Sequence, residues 1–134
     1  MSTILVDNLT GKTSAGSITV TSEGGAATQS LQQGLAKVWA SSNQASLIDS
    51  LNVASTTDNQ SADTTYTYTN AMANAGYAAG SGSIGPSSGT QAGTTSYHTV
   101  AAGSIRVVTF DESKNANGRF DTAYQAVTIS GDLA

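Results

Sequence analysis

Hydrophobic and polar residues alternate along most of this chain, and one stretch departs from that period. In Leu31-Gln32-Gln33-Gly34-Leu35-Ala36-Lys37-Val38-Trp39, the residues Leu31, Leu35 and Val38 share one helical face, which Trp39 widens. Thr28 or Ser30 supplies an N-cap, and Ser41-Ser42-Asn43 ends the run. The pattern predicts one short helix, marginal alone in water and in need of something to pack against.

Elsewhere the period is two. Residues 3–21 read as two strands around a turn: Ile4-Leu5-Val6, loop chemistry over 10–16, then Ser17-Ile18-Thr19-Val20-Thr21. Such a pair is marginal by itself, so this arm is expected to dock on something larger. Gly24-Gly25 marks a joint before the helix. Residues 46–53 suit a strand or a short helix, and 56–62 suit a polar turn. The clearest strand runs from Asp63 to Asn70, with Tyr66 and Tyr68 on one side and Thr65, Thr67 and Thr69 on the other. Residues 80–95 read as a Gly/Ser/Thr loop around Pro86. Residues 104–110 and 123–130 alternate strongly, joined by a hairpin connection over 111–121 whose Asn117-Gly118 pair suits positive φ. The fold class is mainly β: an antiparallel, β-sandwich-like head with a short N-terminal hairpin arm and one short helix. The domains expected are an attachment arm over 1–27, a helix and oligomerisation segment over 28–43, and a β-rich head over 44–134.

Composition changes that picture in one respect. Apolar residues make up 38% and charged residues only 10%, while nineteen Ser, nineteen Thr and fourteen Gly fill the gap. Hydroxyls rather than charges wet the surface, as in extracellular or particle-borne β-proteins. The net charge is −4 and the five basic residues form no run, which argues against a nucleic-acid partner. Cysteine is absent, so disulfides and thiolate metal sites are excluded and association becomes the expected source of stability. No apolar run has the length of a membrane span, and Met1-Ser2-Thr3 opens directly into a strand-like run. Neither membrane insertion, a signal peptide nor an anchor is expected.

Candidate chemistry is sparse, and no cofactor is expected. Gly80-Ser81-Gly82-Ser83-Ile84-Gly85 has the letters of a dinucleotide fingerprint, but Pro86-Ser87-Ser88-Gly89 follows where a helix would have to start. Residues 113–121 resemble a calcium loop in Asn115, Asn117, Gly118 and Asp121. Its opening position is Ser113, however, and the closing glutamate position falls on Tyr124. A hairpin loop is the simpler reading; a weak divalent ion would fall to Asp111, Glu112 and Asp121. His98, the single histidine, has neither a second histidine nor a cysteine to share a metal, and nothing in the sequence sets a nucleophile or acid beside it. Tyr66, Tyr68, Tyr77, Tyr97 and Trp39 could stack on sugar rings, although alternation in a strand predicts packing first. Asn8-Leu9-Thr10 and Asn59-Gln60-Ser61 are glycosylation sequons by letter, idle without a secretory route.

Taken in order, several motifs resemble a known family. Ile4-Leu5-Val6-Asp7-Asn8-Leu9-Thr10-Gly11 and Ser17-Ile18-Thr19-Val20-Thr21 lead into Leu31-Gln32-Gln33-Gly34-Leu35-Ala36-Lys37-Val38-Trp39. Leu51-Asn52-Val53, Thr57-Asp58-Asn59 and Tyr66-Thr67-Tyr68-Thr69-Asn70-Ala71-Met72 follow. The chain closes with Arg106-Val107-Val108-Thr109 and Tyr124-Gln125-Ala126-Val127-Thr128-Ile129. The sequence resembles small virion structural proteins of tailed bacteriophages of marine bacteria and cyanobacteria, often labelled tail-fibre proteins. The likeness spans nearly the whole chain; the 80–95 insertion and the lack of a long shaft depart from it.

The resemblance implies a non-enzymatic homotrimer located in the virion and released by lysis, its leading segment attached to other virion proteins of the tail or capsid. Leu31, Leu35, Val38 and Trp39 would hold the trimer. Ile4, Leu5, Val6, Ile18 and Val20 would make the attachment. Tyr66, Tyr68, Asn115 and Asn117 would offer a surface to a host glycan or protein. Two other readings stand beside it: a capsid decoration protein, which the short reach of the chain suggests, and a carbohydrate-binding module.

Overall fold

The computed structural model describes residues 3–14, 17–22, 24–25, 27–43, 46–84, 93–111 and 118–134. The chain forms two compact units that divide between Leu35 and Ala36. That boundary falls inside the segment expected to be one helix.

In the first unit, β1 (Thr19–Thr21) pairs antiparallel with β2 (Thr28–Ser30). The hairpin is therefore not the one expected. Ile18-Thr19-Val20-Thr21 finds its partner downstream, while Ile4-Leu5-Val6 lies in neither strand nor helix. The helix, α1, covers only Leu31–Gly34. Ser30 caps it by accepting from the Gln33 amide at 3.4 Å, and the Leu31 amide reaches back to the Ile18 carbonyl at 2.8 Å. Leu35 already has extended backbone, so the helix stops after one turn.

From Val38 the expected helix is strand. In the second unit, β3 (Val38–Asn43) buries Val38, Ala40 and Ser42 and turns Trp39 and Asn43 outward, a period of two. The helical spacing of Leu31, Leu35 and Val38 was coincidental; cross-strand pairing on both sides of β3 outweighs weak helix propensity. β4 (Ser46–Leu51), β5 (Val53–Gln60), β6 (Asp63–Tyr68), β7 (Ala78–Ile84), β8 (Gly93–Ala101), β9 (Ser104–Asp111) and β10 (Tyr124–Ser130) follow. They form two four-stranded antiparallel sheets, ordered β4-β3-β10-β7 and β5-β6-β9-β8.

Inner faces of both sheets feed one core. Val38 and Ala40 of β3 and Val127 and Ile129 of β10 cluster with Tyr66 and Tyr68 of β6, Ile105 and Val107 of β9, and Met72. The arrangement is sandwich-like. Three expectations change. Residues 56–60 belong to β5, and the turn is Ser61-Ala62, where Ala62 adopts φ +60°. The two ends of the expected 80–95 loop are strand, in β7 and β8. Finally, β9 and β10 are not a paired hairpin: they lie in different sheets, and the chain between them crosses over after a single bridge between Phe110 and Arg119.

The four strands that end the sheets differ in regularity. β4 carries an extra residue, Ile48, between its pairs to Ser41 and Ser42. β5 carries two, Ala54 and Asn59, and β8 carries one, His98. Such bulges twist an edge away from further pairing. β7 carries none. Its seven residues pair in unbroken register with β10, from Ala78 opposite Ser130 to Ile84 opposite Tyr124.

Candidate association surfaces

The leading unit exposes its apolar side chains. Ile4 is 84% and Leu5 91% exposed, and Val6, Leu9, Val20 and Leu35 are all more than half exposed. None of its described residues is buried. Leu9, Ile18, Leu31, Gln32 and Leu35 line one shallow depression of about 230 Å³. The five residues expected to attach the chain are thus exposed, except for half-buried Ile18. Of the four expected to hold an oligomer, Leu31 and Leu35 share this depression. Val38 does not join them, because it is fully buried in the core of the second unit, and Trp39 lies on the outer face of a sheet there. A single stripe of all four does not exist.

The outer face of the β4-β3-β10-β7 sheet is the second surface. Register sets Leu51, Trp39, Thr128 and Gly80 in one row, and Asp49, Ser41, Ala126 and Gly82 in the next. A side chain added at Gly80 or Gly82 would meet nothing within 4 Å, so this floor is bare main chain. Ser41, Gly82, Ser83, Tyr124 and Ala126 line a depression of about 440 Å³ over it. Tyr124 was not singled out from the sequence. Its signal was present, since alternation through Gln125, Val127 and Ile129 places Tyr124 on the opposite, outward side.

Tyr66 and Tyr68 are not a ligand surface. Both rings are buried in the core because β6 turns Thr64, Tyr66 and Tyr68 inward. The Tyr66 hydroxyl lies 2.6 Å from Ser42 Oγ and donates to Gln125 Oε1 at 2.9 Å; Gln125 Nε2 donates in turn to Thr109 Oγ1. The Tyr68 and Tyr77 hydroxyls meet at 2.9 Å, their rings edge to face. Burial pushes all three phenols above their ordinary range. Asn115 and Asn117 lie outside the described residues.

Among the described residues, the most strongly ionic site was not legible in the sequence. Asp63, 1% exposed, accepts from Arg106 Nε and Nη2, both at 2.6 Å, from Arg119 Nη1 at 2.9 Å, and from the amides of Asn59 and Gln60. Its carboxyl is lowered to about 2, chiefly by the hydrogen bond from Arg106, against a desolvation cost of burial. Asp121, a residue of the suspected ion site, instead accepts from the Ala62 amide at 2.6 Å and from Ser61 Oγ. Together these contacts clasp the chain after β9 onto the β5–β6 turn. Glu112 and the Asp111 side chain lie outside the described residues. Among those described, no three His, Asp or Glu residues converge on a metal position. His98 sits exposed on the β8 bulge, its Nδ1 at 3.1 Å from Thr99 Oγ1. The chemistry these surfaces offer is apolar contact and main-chain hydrogen bonding. Set against protein-family models, curated proteins and solved structures, the chain matches none.

Proposed function

We propose that this chain is a non-enzymatic structural protein of a bacteriophage particle, a short homotrimeric fibre or spike whose leading unit builds it into the virion. One observation carries the reading. The first unit exposes Ile4, Leu5, Val6, Leu9, Val20 and Leu35 and has no buried residue among those described. A unit with no fully buried side chain among those described is not stabilised by itself, and its exposed apolar side chains are satisfied only against another surface. The second unit has a core shared by two sheets, and its buried Tyr66, Gln125 and Asp63 are hydrogen-bonded within it. The resemblance of the motif order to small virion proteins supplies the particle. Of the residues expected to hold the trimer, Leu31 and Leu35 stay open to a second chain, whereas Val38 is spent in the core.

The test replaces Leu9 and Val20 together by Asp. These side chains are exposed, so the thermal transition of the second unit should move by less than about 0.5 kcal/mol in equivalent stability. Incorporation into purified virions, scaled to the major capsid protein, should be lost. Wild-type incorporation of the variant would overturn the proposal. The same wild-type copy number distinguishes a fibre, in tens of copies or fewer, from a capsid decoration protein in hundreds.

A further inference from the structure

The sequence predicts a strand at Ile4-Leu5-Val6, and the structure leaves that run in no strand. The two four-stranded sheets in turn leave one regular edge among their described residues. Of the four strands that end the two sheets, β4, β5 and β8 are bulged, whereas β7 runs seven residues without interruption, proline or charge. Natural sheets guard their edges with such devices; β7 meets β8 through Ser81 and Ser83 side chains, but its main chain pairs only with β10, which leaves an edge without bulge, proline or charge open to pairing. From these two observations we infer that residues 3–9 of one copy add as a fifth strand to β7 of a second copy, making an exchange of leading segments between neighbours.

Side-chain chemistry fits the added strand. Beside β7 the sheet's outer face is the bare floor at Gly80 and Gly82, with Ala126 and the exposed Tyr124 ring next to it. An incoming strand alternates its side chains between the two faces, so Ile4 and Val6, or Leu5, would lie beside this floor and against uncharged neighbours. The contact is heterologous: the donor surface and the acceptor surface differ. Such contacts close into rings, of three copies in the trimer proposed above. Leu9, Ile18 and Val20 remain available to the particle. The inference rests on reading the leading unit as an association element and is independent of which particle it enters.

Sedimentation equilibrium of the full chain and two variants tests it. In one, Ile4, Leu5 and Val6 become Asp, which removes the donor. In the other, Gly80 and Gly82 become Lys; a side chain fits both positions in the single copy, and the lysines give the edge the charge that guards natural edges against pairing. The wild type should self-associate, and each variant alone should need about tenfold or more higher concentration to do so. Mixed, the variants should form a one-to-one pair, because one retains the arm and the other the edge. A monomeric wild type, variants that associate like wild type, or a mixture that does not pair would each overturn the exchange. Virion incorporation, measured separately, decides the particle reading whichever result is found here.

Discussion

Replacing Asp63 by Asn is expected to destabilise the β-rich unit by about 3 kcal/mol, the low end for breaking a buried ion pair. Two guanidinium groups and two side-chain amides donate to this carboxylate. An amide keeps one acceptor oxygen and turns its own N–H donors toward the arginines, so several partly buried donors lose their partner. The arginines keep about a quarter of their surface in water, which limits the loss. In a unit of about 100 residues, 3 kcal/mol corresponds to a fall in Tm of roughly 12–24 °C. Thermal unfolding at pH 7 reads it; a fall of under about 3 °C would show that the clasp carries little stability.

The same site sets a pH signature. The carboxyl is lowered from 3.8 to about 2 in the folded chain, so its contribution is fully present above the unfolded value and is lost as pH falls through the folded one. That contribution is about 2 kcal/mol. The stability gap between wild type and Asp63→Asn should therefore stay constant from pH 7 to about pH 5, then shrink by about 2 kcal/mol towards pH 2. A gap that narrows above pH 5 would mean that another group governs it.

Why this clasp escaped the sequence, while much of the sheet did not, is a matter of which contacts are local. β6, β9 and β10 are legible because Tyr66 and Tyr68, Ile105 and Val107, and Val127 and Ile129 each fall on one side of an alternating run. β3 was hidden by its small inward residues. Ala40 and Ser42 give a faint period of two, and the Leu31, Leu35, Val38 spacing imitates a helix until Ala40 is seen opposite Val127 and Ser50. β5 and β7 have few apolar residues to alternate; as edges they are held by β6 and β10 rather than by their own propensity. Asp63, Arg106 and Arg119 are far apart in the chain, and only the β6–β9 pairing brings the first two together. The candidate arm shows the converse: Ile4-Leu5-Val6 has the strand pattern but finds no partner strand among the described residues of its own chain.

Tyr66 separates packing from recognition more sharply than any other residue, and two substitutions resolve its parts. Tyr66→Ala removes a fully buried ring from the centre of the core and should cost about 4 kcal/mol. Tyr66→Phe keeps the ring and removes only the hydroxyl. The single phenolic proton goes to Gln125 Oε1, so Ser42 donates to the same oxygen; without it, one buried donor and one buried acceptor lose their partner. That loss is worth about 1–3 kcal/mol. Gln125 cannot turn away to recover, because its Nε2 is already committed to Thr109 Oγ1. Urea denaturation should lower the midpoint by roughly 3 M for Tyr66→Ala and about 1 M for Tyr66→Phe. The order matters as much as the size. A ring whose task is to stack on a sugar would leave the midpoint unchanged on truncation and alter binding alone. A ring that joins β6 to β3 and β10 loses stability in two steps, first the hydroxyl network and then the packed volume.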